Sequence, residues 1–336
     1  MRSKFQIASL TNSLDLGRPA LISCPGGRER RPAQMRPFVL PRRTGVVRSA
    51  TLLLAGTMAL GAFNVLPAVN RIPGPQDARV TGGSVMVVGG GAVTPDIRKQ
   101  FVELAGGAAA RIVLIPGSDP TPEDREKLLA PWRASGMASI VLIHAENRKM
   151  ANNPGFCLPL ESATGVWFGG GDQALLSDRY VDSAVQKCLH DVLRRNGVVG
   201  GSSAGAAVLS RVMIREGDMT PIESRGLNLI SRAIFDQHFL ARNRLWRLEQ
   251  MLKSHPDLIG LGVDEATGLV IDLQSWRFRV VGESYVIACL PRSGADERRI
   301  EILKPGDDVM LSQITDEHLA FQFPAKADAQ TPPAQP

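Results

Sequence analysis

Apolar and polar positions along the chain repeat a simple cycle. Residues 85–88 form a short apolar run that ends in Gly89, Gly90 and Gly91, and residues 96–104 then place Ile97, Phe101, Val102 and Leu104 at helical spacing. The order is strand, glycine turn, helix. It recurs with a run at 111–115, a helix predicted over 121–134 and opened by Pro120 and Pro122, and a run at 139–144. It recurs again with 165–168, a helix over 181–194 and a strand at 198–199. Continuous β-branched runs between amphipathic helices predict an α/β three-layer sandwich with a mostly parallel central sheet covered on both faces. Beyond about residue 277 the runs at 278–281, 284–289 and 300–303 are separated by short turns. These predict antiparallel strands at one edge. Residues 323–336 are dominated by Ala, Gln and Pro, which predicts a solvated tail.

Ahead of the cycle, no residue from 49 to 70 is charged, and ATLLLAGTMALGAF at 50–63 follows Arg42, Arg43 and Arg48. That is the charged-then-apolar order of a secretory signal. Its apolar core of about 14 residues is shorter than the roughly 20 that cross a bilayer as a helix. The rival readings are a buried core helix and a retained N-terminal anchor, since the uncharged stretch continues to Asn70. Cleavage after Ala68 places the large Leu66 two residues before it, Met35 is an alternative start, and Arg42-Arg43 hints at a twin-arginine signal. The expected organisation is a leader at 1–70, a linker at 71–81, a catalytic domain at 82–322 and the tail. The expected destination is the periplasm or the exterior, with membrane attachment only if the leader is kept.

Charge looks different once the leader is set apart. The 336 residues carry 39 Lys and Arg against 33 Asp and Glu, a formal +6. Before residue 71 ten basic residues face only Asp15 and Glu29, so the leader holds +8 and the remainder −2. A near-neutral domain with 5% aromatic residues is not built to bind nucleic acid. Cys24, Cys157, Cys188 and Cys289 include no CxxC, and no His pair has helical ligand spacing, so neither metal nor other cofactor is expected. The Gly89–Gly91 turn lacks the G-x-G-x-x-G spacing of a dinucleotide site, and no acidic residue ends the following strand.

The most informative stretch is VVGGSSAGAAVL at 198–209, read as strand, tight small-residue turn and helix. Gly201, Ser203 and Gly205 fit G-x-S-x-G, in which small neighbours let a serine hydroxyl project from a sharp turn. A helix starting at Ala204 would aim free N–H groups and a positive dipole end at a developing oxyanion. The bland alternative is a serine helix cap. A base must come from His144, His190, His238, His255 or His318. His238 stands out because Asp236, Gln237 and His238 follow apolar Ala233 and Ile234, as at the exit of a buried strand. Glu265 ends another strand-like run and could orient the base; Asp264 beside it is the competitor.

FGGGDQ (168–173), GSSAGA (201–206), DQHFLARNRLWRL (236–248) and GLGVDEATGL (260–269) together resemble, in order and spacing, the cyanophycinases of serine peptidase family S51. The likeness runs from about residue 82 to 311. It implies a fold similar to class I glutamine amidotransferases, Ser203 as nucleophile, His238 as general base and Glu265 as orienting acid. It also implies an oxyanion hole from the Ala204 N–H and a glycine N–H, Gly170 or Gly171. The implied substrate is cyanophycin, an aspartate backbone with arginine on each side-chain carboxyl, and the implied product is the β-Asp-Arg dipeptide. Arg242, Arg244 and Arg247 match family arginines suited to carboxylates, and Gln173, Asp236 and Gln237 match further substrate contacts. A homodimer is implied as well. Ser202 replaces a usual threonine, and Asn228 stands where glycine is common, which questions the loop before Asp236. The alternatives are a β-aspartyl peptidase of other specificity and a non-catalytic binding protein of the same fold.

Overall fold

The structure, a computed structural model, describes residues 82–291 and 298–314; the expected leader, linker and tail lie outside the described residues. The strands are β1 (Ser84–Val88), β2 (Arg111–Gly117), β3 (Ser139–Leu142), β4 (Gly165–Gly171), β5 (Val198–Ser202), β6 (Val212–Glu216) and β7 (Ile222–Arg225). They continue as β8 (Ala233–Gln237), β9 (Ile259–Val263), β10 (Thr267–Asp272), β11 (Arg277–Gly282), β12 (Val286–Cys289), β13 (Ile300–Leu303) and β14 (Asp308–Met310). An eight-stranded sheet has the order β14-β11-β10-β1-β5-β4-β2-β3. From β1 to β3 all neighbours are parallel, while β10, β11 and β14 extend the other edge antiparallel.

The continuous apolar runs have a simple cause. Val85 and Val87 of β1 enter one core while Met86 and Val88 enter the other, so both faces of the strand are buried. Helices Pro95–Leu104 and Pro122–Arg133 cover one face, where the Phe101 ring meets Trp132 and Trp167 edge-on with centroids 5.6 and 5.0 Å apart. Helices Pro154–Glu161 and Ala184–Arg194 cover the other. Helix starts follow local chemistry. Thr121 accepts from the Asp124 N–H at 3.2 Å while the Asp124 carboxylate accepts from the Thr121 N–H at 3.1 Å, a reciprocal cap.

Three expectations change. The helix predicted over 181–194 starts later, at Ala184 after the Ser183 cap, because Asp182 takes φ 59°, and a separate helix that was not predicted, Gln173–Tyr180, precedes it. The late strands do not share one edge. β11 joins the large sheet, whereas β12 and β13 belong to a second sheet of order β13-β12-β9-β8. Alternation in sequence carries no information about which edge a strand will pair with. That second sheet packs Phe235, Leu261 and Val263 on the main core, and its other face is covered by Leu248, Met251 and Leu252 of helix Leu245–Ser254. Finally, β6 and β7 form a hairpin that the apolar pattern did not announce, because three of the four β7 residues are exposed. No helix among the described residues is long and apolar enough to cross a membrane.

Candidate active site

β5 delivers Ser203 to the carboxyl end of the parallel strands, where open α/β sheets place their ligands. At Ser203 the backbone takes φ 55° and ψ −116°, and its N–H donates to the Val88 carbonyl at 3.0 Å. A non-glycine residue held there stores of order ~1–3 kcal/mol, which the surrounding packing must offset. The small neighbours are required by close approach: a Cβ on Gly205 would overlap the Phe168 carbonyl and lie 2.7 Å from the Phe168 Cβ. The helix that follows is one turn only, Ala204–Ala207. The expected macrodipole is therefore small, since few peptide dipoles add, and any anion stabilisation falls to individual N–H groups.

β8 ends at Gln237 and presents His238 at φ 51°. Its Nε2 lies 2.8 Å from Ser203 Oγ and its Nδ1 lies 2.5 Å from Glu265 Oε1. A carboxylate can only accept, so Nδ1 carries the hydrogen and Nε2 is left to accept from the serine hydroxyl. Glu265 leaves β9 in the turn toward β10, with its side chain partly exposed. Asp264, its competitor, serves elsewhere. It accepts from the Leu240 and Ala241 N–H groups at 3.0 and 2.9 Å and from Ser284 Oγ at 2.7 Å, tying down the segment after His238.

Burial raises the Asp264 pKa, but these hydrogen bonds outweigh it and hold the carboxyl below its ordinary 3.8. A carboxyl depressed in the folded state contributes stability above its unfolded pKa and loses that contribution as pH falls through the folded value. Urea unfolding at pH 5, 4 and 3 should therefore show the wild type losing stability more steeply than Asp264→Asn, which keeps the acceptor oxygen but cannot titrate. Parallel slopes would remove this assignment.

The role of Gly89–Gly91 was not legible beforehand. His238 N–H donates to the Gly89 carbonyl, Ala266 N–H donates to the Gly90 carbonyl at 2.9 Å, and Gly89 N–H donates to Thr267 at 3.0 Å, so one loop fixes both the base and its orienting acid. Gly90, at φ 107°, backs the imidazole: a Cβ there would stand 2.5 Å from His238 Nε2. Gly90→Ala should therefore displace the ring by about 1 Å and cost roughly 100-fold in kcat, with the far-UV circular dichroism retained. Unchanged kcat would show that the ring does not need this support.

The other expected site residues separate into groups. Gly170 borders Ser203, with its Cβ direction 3.6 Å from the Ser203 Cβ, whereas Gly171 turns toward Gly117 of the neighbouring strand. Gln173 donates from Nε2 to the Arg215 carbonyl of β6. Arg242 is exposed, but Arg244 and Arg247 are buried. Arg247 binds Asp236 in fork fashion, through Nε at 3.0 Å and through Nη2, and Asp236 is wholly buried. Arg244 donates to the Gln237 carbonyl at 2.7 Å. The trio is thus no single guanidinium surface. Asn228 at φ 54° keeps the left-handed turn that a glycine would make, a conformation asparagine tolerates.

Among the described residues, the other histidines and the two buried cysteines are engaged or buried away from this pair. Burial pushes the Cys157 thiol up to about 12 and Cys289 up to about 11. His144 pairs with Asp119 at 3.1 Å and His255 with Glu223 at 2.8 Å, while burial lowers the pKa of His190 on its helix. His318 lies outside the described residues.

Residues 84–278, which include the serine, the imidazole and the glutamate, match peptidase family S51. The chain belongs to peptidase family S51. It is a serine-type peptidase with the α/β fold expected above. A cyanophycinase from Synechococcus elongatus is 32% identical over 222 residues, covering 62% of this chain and 69% of that protein. One from Trichormus variabilis is 30% identical over 264 residues, covering 70% of this chain and 88% of its own. The crystal structure of a peptidase from an acI-B1 Actinobacterium superposes with a TM-score of 0.54 at 23% identity, covering 69% of this chain and 98% of that one, a likeness of fold.

Proposed function

We propose that this S51 peptidase hydrolyses cyanophycin or a closely related β-aspartyl polymer to β-Asp-Arg dipeptides through an acyl-enzyme on Ser203. The observation that carries the reading is the hydrogen-bonded chain Ser203, His238, Glu265 at the strand ends. Ser203 Oγ attacks the scissile carbonyl while His238 Nε2 takes its proton, and Glu265 holds Nδ1–H and stabilises the imidazolium that forms. The oxygen of the tetrahedral intermediate meets the N–H groups of Ala204 and Gly170, each worth several kcal/mol of barrier when preorganised. His238 returns the proton to the leaving amine, then activates a water that frees the acyl group. The relatives named for cyanophycin support this substrate. Incubation with cyanophycin should release β-Asp-Arg, identified by mass spectrometry. Release of other fragments, or turnover only of polymers bearing lysine or of short α-aspartyl peptides, would move the assignment to another β-aspartyl specificity.

We further propose that residues 1–70 direct export. Fractionation followed by N-terminal sequencing should find a processed protein outside the cytoplasm. An N-terminus at residue 1 in cytoplasmic protein would end that reading.

A further inference from the structure

The buried arginines next to the active site are unequally matched in charge. Arg247 is committed to Asp236, but Arg244 stands 3.7 Å from that same carboxylate and its buried Nε has no hydrogen-bond partner. Two guanidinium groups therefore share one fully buried carboxylate. Burial first, and repulsion from Arg247 next, lower the Arg244 pKa, as expected where a second anion is wanted. The group that partly answers this is Asp218, in the turn of the β6–β7 hairpin. Its side chain is 83% exposed, and its carboxylate lies 3.7 Å from Arg244 Nη2 and 3.6 Å from Arg247 Nη1. These separations exceed direct hydrogen bonds, so the aspartate is held loosely and keeps most of its water.

The two hairpin strands are firmly tied, and the turn between them is held lightly. Gln173 binds the Arg215 carbonyl, Arg215 pairs with Asp178 at 3.3 Å, and Arg225 pairs with Asp182 at 2.8 Å. At the tip, the Gly217 carbonyl accepts from Arg247 at 3.2 Å, beside the loose Asp218 contacts. Arg244 in turn holds the carbonyl of Gln237, the residue before His238, which places this anion subsite next to the catalytic base.

We propose that Asp218 is a displaceable internal carboxylate, seated over an anion subsite formed by Arg244 and Arg247, and that a substrate carboxylate must exchange with it to bind. The inference rests on the peptidase reading for the identity of the incoming group. A substrate carboxylate that makes a direct, charge-assisted hydrogen bond to Arg244 Nε replaces a weaker contact. The exchange lowers apparent affinity by the fraction of time Asp218 occupies the position, and so sets a threshold against weakly acidic ligands.

The test is calorimetric titration of N-acetyl-L-aspartate into the purified wild type, Asp218→Asn and Asp218→Glu. Asp218→Asn should bind about two- to fivefold more tightly, the scale of a weak exposed ion pair, and Asp218→Glu should stay near the wild type. The KM of Asp218→Asn for the β-aspartyl substrate should fall by a similar factor, with a smaller change in kcat. Equal or weaker binding by Asp218→Asn would overturn the proposal, as would no binding to any of the three. A merely structural aspartate would instead raise KM and lower Tm in Asp218→Asn. Because the titration does not depend on hydrolysis, failure on cyanophycin together with tighter dicarboxylate binding would reject the substrate and keep the exchange. Cyanophycin hydrolysis without tighter binding would do the reverse.

Discussion

Replacing Ser203 by alanine should lower kcat on the β-aspartyl polymer by about 10⁴- to 10⁶-fold while leaving the protein folded. The size follows from the role: without Oγ there is no atom to carry the acyl group, and His238 Nε2, 2.8 Å away, has no proton to take. The residual rate would come from the oxyanion N–H groups and binding alone. Stability should change little, because the deletion removes one partly exposed hydrogen bond and alanine meets the same φ of 55°. His238→Ala should fall in the same range, and the double variant should be hardly worse than either single one, since the two residues act as a unit. A serine-reactive phosphonate should label the wild type at Ser203 and fail on the alanine variant. Wild-type turnover by Ser203→Ala would require a different nucleophile and would refute the acyl-enzyme route.

The second large effect concerns stability. Asp236→Ala should cost about 3–5 kcal/mol, because it leaves the Arg247 guanidinium buried and unpaired, with Arg244 beside it. For a domain of this size that corresponds to a fall in Tm of roughly 6–20 °C. Asp236→Leu combined with Arg247→Met should recover much of the loss, since apolar packing avoids the desolvation penalty of both charges. The family resemblance suggested that these two residues contact substrate. Their mutual pairing and burial also make them a brace between β8 and helix Leu245–Ser254, with the Nη1 end of Arg247 turned toward Asp218. If Asp236→Ala raised KM with Tm unchanged, the substrate role would stand and the brace would not.

The sequence by itself was sufficient for those features that are encoded locally. Apolar runs at β1, β2 and β4 marked strands covered on both faces, Thr121 and Asp124 marked a helix start, and Gly201, Ser203 and Gly205 marked a turn that only small residues permit. Each depends on neighbours a few positions away. Assembly of the site depends on contacts across the sheets. Glu265 and Asp264 are adjacent and chemically alike, yet one reaches the imidazole and the other the backbone of Leu240 and Ala241, because successive residues leaving a strand point to opposite sides. The sequence marks Gly89–Gly91 as a turn without dinucleotide spacing, and only the fold sets Gly90 against the His238 ring. The resemblance matches Arg242, Arg244 and Arg247 alike to carboxylate contacts, but tertiary packing leaves the first in solvent and buries the others against Asp236 and the Gln237 carbonyl. Residue types and their spacing thus determined which groups could do chemistry; burial and long-range hydrogen bonding, which no local pattern records, decided which of them meet.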